Sequence, residues 1–187
     1  MTGYIIGGVT RAGKTALAER LHQEKGISII SHDWMISAFQ HTLPQLSIRH
    51  GGEADNGQIM LPFITHYLAM HSDWGRYSFI FDTAYLSPRQ IIEAGFDKKY
   101  KVVFLGYADI SAGEKFDNIR NHARPYADWT ADHTDEELMP MVEEMIINSK
   151  MVKQQCDELG ITYFDTSVNF KEKLNSAYHY LTSQTEK

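Results

Sequence analysis

The sequence has 187 residues, 43% of them hydrophobic and 22% charged, with a formal net charge of -6. A chain of this length buries most of the surface its unfolded form exposes, and one domain over 1–187 is expected. The acidic balance disfavours a partner that demands a broad positive face, such as duplex nucleic acid or an anionic membrane, so any bound anion is expected in a local cluster. Cys156 is the single cysteine, which rules out an intramolecular disulfide and fits a reducing cytoplasm. No apolar run approaches membrane-spanning length, and a soluble, cytoplasmic protein is expected.

A first strand is predicted at Tyr4-Ile5-Ile6, ending in Gly7-Gly8; Ala16, Leu17 and Leu21 then recur at helical spacing until Gly26 stops the helix. Between them, Gly8-Val9-Thr10-Arg11-Ala12-Gly13-Lys14-Thr15 matches the pattern G-x-x-x-x-G-K-S/T at every fixed position. Glycines let such a loop wrap so that successive backbone N–H groups, here of Gly8, Arg11, Ala12, Gly13, Lys14, Thr15 and Ala16, converge on phosphate oxygens. Lys14 is expected to reach the β and γ phosphates, and the Thr15 hydroxyl to ligate Mg²⁺.

A second strand, Ile27 to Ile30, leads to Ser31-His32-Asp33 and a helix from about Trp34 to His41. Asp33 also reads as a possible N-cap of that helix. The stretch from Pro44 to Gly57 is rich in turn formers, and a helix follows through Met60, Ile64 and Leu68. Tyr77 to Phe81 reads as a third strand ending at Asp82, and Lys101 to Tyr107 as a fourth, with a short helix from Pro88 to Ala94 between them. A long helix from Asp135 to Leu159, a fifth strand at Ile161 to Phe164 and a last helix from Phe170 to Leu181 complete the chain. Short apolar strands separated by helices predict an α/β fold in three layers, with a parallel sheet covered on both faces.

The complete phosphate-loop pattern, between a predicted strand and a predicted helix, resembles that of the P-loop NTPases. More narrowly, the chain resembles the small P-loop kinases: adenylate, shikimate and gluconate kinases and chloramphenicol phosphotransferase. GTPases match poorly, since no N-K-x-D motif occurs, and the LSGGQ signature of ABC ATPases is absent. The resemblance implies a five-stranded sheet of order 2-3-1-4-5, with ATP as donor and Mg²⁺ as its metal. Asp82 resembles the Walker B acid that holds Mg²⁺, and Asp33 sits where hydroxyl-phosphorylating members place the acid that orients or deprotonates the acceptor. The region 113–134 corresponds to a mobile lid, with Arg120 and Arg124 four residues apart on one helical face as candidates to offset phosphoryl charge. Thr166, in Asp165-Thr166-Ser167, lies in a loop that resembles the one approaching adenine.

The insert 34–76 is where the resembling enzymes hold their second substrate. It contains two arginines, Arg49 and Arg76, and no lysine, whereas a phosphate acceptor generally demands several cations. Arg49 and Arg89 are the candidates for that task. Most of the aromatics of this region are expected in the core, with one or two, such as Trp34, free to stack on an acceptor. His66 and His71, five apart, lack the spacing of a helical metal pair. The expected activity is phosphoryl transfer from Mg-ATP to a small-molecule hydroxyl. A nucleoside or nucleoside monophosphate kinase is the alternative enzyme, and an ATP-binding switch acting through a protein partner the alternative outside catalysis. A polynucleotide 5′-kinase is disfavoured by the acidic charge.

Overall fold

A computed structural model describes residues 3–51, 53–73, 77–122 and 128–183. In chain order the elements are β1 (Gly3–Gly8), α1 (Lys14–Lys25), β2 (Ser28–Ser31), α2 (His32–Thr42), α3 (Glu53–Asp73), β3 (Phe79–Asp82), α4 (Pro88–Glu93), β4 (Lys101–Gly106), α5 (Ala112–Asn121), α6 (Asp135–Leu159), β5 (Tyr163–Asp165) and α7 (Phe170–Thr182). Two 3-10 turns, Pro44–Leu46 and Trp129–Asp132, lie between them. The strands form one parallel sheet of order β2-β3-β1-β4-β5, the order the resemblance implies.

Alternation along each strand sends successive apolar side chains to opposite faces. Ile5, Phe79, Phe81, Val102 and Phe104 enter one core layer with Ile36 of α2, Met60, Ile64 and Leu68 of α3, and Ile91 of α4. Ile6, Ile80, Val103 and Leu105 enter the other, against Leu17 and Leu21 of α1, Ile119 of α5 and Leu181 of α7. The long α6 serves both layers, placing Leu138, Val142 and Ile146 in the second and Cys156 in the first. Burial pushes the Cys156 thiol up to about 12, so it is an inert core residue.

Several boundaries differ from the sequence reading for local reasons. The α2 helix starts at His32 because Ser31, and not Asp33, is its cap: the Ser31 hydroxyl accepts the Trp34 N–H at 3.4 Å. Strand β3 begins at Phe79, and Tyr77 is left outside it, 78% exposed. The largest correction is at Gly57, which reads as a turn former and lies inside α3. A Cβ there would sit 2.1 Å from the Tyr85 carbonyl oxygen, so this glycine permits a close approach between α3 and the loop after β3. Helix propensity alone makes Gly57→Ala stabilising; this contact makes it destabilising, by about 1–3 kcal/mol. Urea unfolding of the two proteins decides the sign.

Candidate active site

The phosphate loop leaves β1 at the centre of the sheet. Gly8 has φ 125°, and any Cβ there would lie 1.9 Å from the Leu105 carbonyl oxygen, to which Val9 N–H donates at 3.1 Å. Gly13, at φ 97°, turns the chain into α1. That helix has no side-chain cap and no acidic residue in its first turn, so its N-terminal N–H groups and dipole face the loop uncompensated. Lys14 is buried and curls back to donate its ammonium to the Val9 carbonyl at 2.8 Å. Thr166, expected near a base, is buried beneath the loop and shares its hydroxyl proton between the carbonyls of Gly106 (3.0 Å) and Ala12 (3.2 Å).

Pairing of β1 with β3 sets Ile6 beside Asp82, and the Thr15 hydroxyl at the start of α1 donates to Asp82 Oδ2 at 3.0 Å. Two hard oxygens thus adjoin at the mouth of the loop. Mg²⁺ is held by few protein ligands together with waters and phosphate oxygens, and this pair suits it. Among the described residues no three His, Cys, Asp or Glu side chains cluster as a fuller metal site.

One strand further out, Asp33 stands in the first turn of α2, exposed and without a side-chain hydrogen bond to the described residues. Its neighbour His32, missed in the sequence, is fully buried between the rings of Phe81 and Tyr85, with Nδ1 at 2.8 Å from the Thr83 hydroxyl oxygen. Backbone pairing of β2 with β3 ends at Ser31 and Asp82, and this side-chain bond continues it by one residue, beside both acids. Nε2 has no partner. A buried histidine next to an apolar strand gives no local signal; only its place after β2 and before Asp33 distinguishes it.

The expected arginines divide. Arg120 is engaged on every nitrogen: Nε donates to Asp135 Oδ1 (3.0 Å), Nη1 to the Thr130 carbonyl (2.9 Å) and Nη2 to the His133 carbonyl (2.8 Å). It fastens the segment after the Trp129–Asp132 turn to α5. Arg124 lies outside the described residues, as do Trp74 and Arg76. Arg89 is exposed and faces Glu158 near the end of α6 at 4.0 Å. Arg49 is exposed, and only its backbone is fixed, by bonds to and from the Asn56 amide (3.2 and 2.6 Å). The aromatics of the insert are less buried than expected: Trp34 is 79% exposed, Phe63 sits at the surface, and Phe39, Phe63, Tyr67 and His71 form a run of ring contacts. A cavity of about 320 Å³ opens between Asp109 and Ile110 after β4, Glu114, Asp117 and Asn118 on α5, and Ser167 and Val168 after β5. No helix among the described residues is long and apolar enough to cross a membrane.

No protein-family model matches the sequence, and no curated protein is significantly similar to it. Solved structures do match. A shikimate kinase from Bacteroides thetaiotaomicron superposes with a TM-score of 0.61 at 19% identity, covering 96% of each chain. A gluconokinase from Sinorhizobium meliloti gives 0.59 at 15% identity, over 96% of this chain and 91% of that one. A sugar kinase from Janibacter sp. gives 0.60 at 14% identity, over 97% and 94%. The chain shares their fold. The likeness to small P-loop kinases expected from the phosphate loop therefore holds at the level of architecture and strand order.

His32 makes a testable link between site and stability. Burial, opposed by the nearby Asp33 charge, lowers its pKa from 6.5 to about 4. Between those values the unfolded chain takes up a proton that the folded chain refuses, so stability is full above pH 6.5 and falls as the pH drops toward 4. The loss between pH 7.5 and 5 is on the order of 2 kcal/mol. Denaturant titrations at the two pH values should show this dependence in the wild type and its near disappearance in His32→Asn.

Proposed function

We propose that this chain is a Mg-ATP-dependent kinase that phosphorylates a hydroxyl group of a small molecule. The observation that carries the reading is the Thr15 hydroxyl beside the Asp82 carboxylate, at the foot of an uncapped helix that follows a complete phosphate loop. The similar structures are named as shikimate, glucono- and sugar kinases, which favours an alcohol acceptor. So does the insert 34–76, whose one described arginine is Arg49.

Each residue then has a task. Backbone N–H groups from Arg11 to Ala16 hold the donor phosphates, and Lys14 leaves the Val9 carbonyl to reach the terminal phosphates. Thr15 and Asp82 hold Mg²⁺, which when bound offsets charge on the phosphate oxygens. Asp33 receives the acceptor's hydroxyl proton and keeps the attacking oxygen in line; Trp34 beside it offers a flat face to the acceptor. The base of the nucleotide occupies the cavity between α5 and the loop after β5. Arg120 holds the Trp129–Asp132 turn and the start of α6 to α5; Arg124, the other candidate to offset phosphoryl charge, lies outside the described residues. A nucleoside monophosphate acceptor is the weaker fit, because an acceptor phosphate is generally held by several cations and the described insert offers Arg49 alone.

Transfer of γ-labelled phosphate from Mg-ATP into a fractionated pool of metabolites and nucleosides tests this reading. A labelled small molecule is expected with the wild type and none with Lys14→Ala. Asp33→Ala should lower kcat by about a hundredfold or more with ATP affinity little changed. Release of inorganic phosphate alone, with ATP still bound, would move the assignment to a nucleotide switch acting through a protein partner.

A further inference from the structure

Arg11 is the residue of the phosphate loop that pays for its shape without being glycine: its φ is 62°, in the left-handed region that side chains disfavour. Four contacts hold it and its neighbour there. The Lys115 ammonium donates to the Arg11 carbonyl at 3.0 Å, and the Tyr107 hydroxyl donates to the Thr10 carbonyl at 2.6 Å. The Arg11 guanidinium pairs through Nη2 with Asp128 Oδ1 and donates to the Thr130 hydroxyl oxygen at 2.5 Å. Both side chains of the ion pair are nearly buried, 13% and 3% exposed.

The far side of this contact is itself fixed. Asp128 Oδ1 accepts the Thr130 N–H at 3.1 Å and the Thr130 hydroxyl at 2.6 Å, capping the Trp129–Asp132 turn. Arg120 then ties Thr130, His133 and Asp135 to α5. A carboxylate this close to a loop that receives a polyanion is unfavourable for the ligand by charge alone. Its compensating effect is geometric: it holds a guanidinium, through it an unfavourable backbone angle, and through that angle the direction of the loop's N–H groups.

We infer that Asp128 is a positioning residue for the phosphate loop, acting through Arg11, so that its removal weakens nucleotide binding although it removes a negative charge. The inference rests on the proposed role of this loop in binding nucleotide. It places Arg11 in the site by its backbone, with its side chain turned away from the phosphates toward Asp128.

The test is titration of the full chain with a fluorescent ADP analogue, N-methylanthraniloyl-ADP, in the presence of Mg²⁺. Asp128→Ala and Arg11→Ala should each weaken binding about tenfold, as loss of a buried partner does. Arg11→Gly, which adopts the left-handed angle without strain, should recover most of the affinity lost in Arg11→Ala, and adding Asp128→Ala to it should change little. Wild-type or tighter binding by Asp128→Ala overturns the inference, as does equal loss in Arg11→Gly and Arg11→Ala, which would put the guanidinium on the phosphates. A lowered melting temperature with unchanged affinity of the folded protein also overturns it. Should Asp128→Ala fail to fold, Asp128→Asn and the two Arg11 variants give the same comparison. Failure of the wild type itself to bind would instead remove the nucleotide reading on which this rests.

Discussion

The constraint on which the site rests is the contact of Gly8 with β4. The loop can start only where the backbone of β1 lies against the Leu105 carbonyl with no side chain between them, and Val9 N–H then closes onto that same oxygen. From that point the site follows. Because β1 lies between β3 and β4, the loop has Asp82 on one side and the end of β4 on the other. The N-terminus of α1, the Thr15 hydroxyl and the Asp82 carboxylate meet without any long side chain having to reach, so little rotamer entropy is lost in assembling them.

The two flanks of β1 do different work. On the side of β2 and β3 stand the acids, Asp33 and Asp82, with His32 and Thr83 joining the strand ends behind them. On the side of β4 and β5 stand the supports of the loop, with Tyr107, Lys115 and Thr166 all bonded to its carbonyls. Lys115 shows how local the positive charge is in a chain of net charge -6. Burial first, then the neighbouring Arg11 and Lys14 charges, lower its pKa to about 8, while Asp165 opposes the shift. An anion arriving at the loop would relieve that crowding.

Legibility in the sequence followed the range of each interaction. The phosphate loop was readable because its glycines, lysine and threonine are neighbours in the chain. Strand order came from resemblance, since hydrophobic alternation says which residues face a core and not which strand lies beside which. Gly57 was misread because a glycine needed for close approach looks the same as one needed for a turn. The spacing of Met60, Ile64 and Leu68 gave α3, but periodicity does not say how fully neighbours cover the aromatics of the insert: Phe63 meets Phe39 and Tyr67 and is still 43% exposed, and Trp34 on α2 is 79% exposed. Arg11 and Asp128, 117 residues apart, left no pattern at all.

On the proposed function, the division among the arginines bears on what the acceptor would be. A guanidinium already saturated by three acceptors, as Arg120 is, would have to break three bonds to reach a phosphate, and the segment it anchors would be released with it. Arg89 is exposed and 4.0 Å from Glu158, and Arg49 is the one arginine, with no lysine, among the described residues in 34–76. One exposed guanidinium can orient a carboxylate or a polar ring substituent, whereas a doubly charged phosphate is generally held by several. If Asp33 takes the role proposed for it, its negative charge adds to this balance, and the electrostatics of this face would favour an acceptor that brings a neutral hydroxyl and little charge of its own.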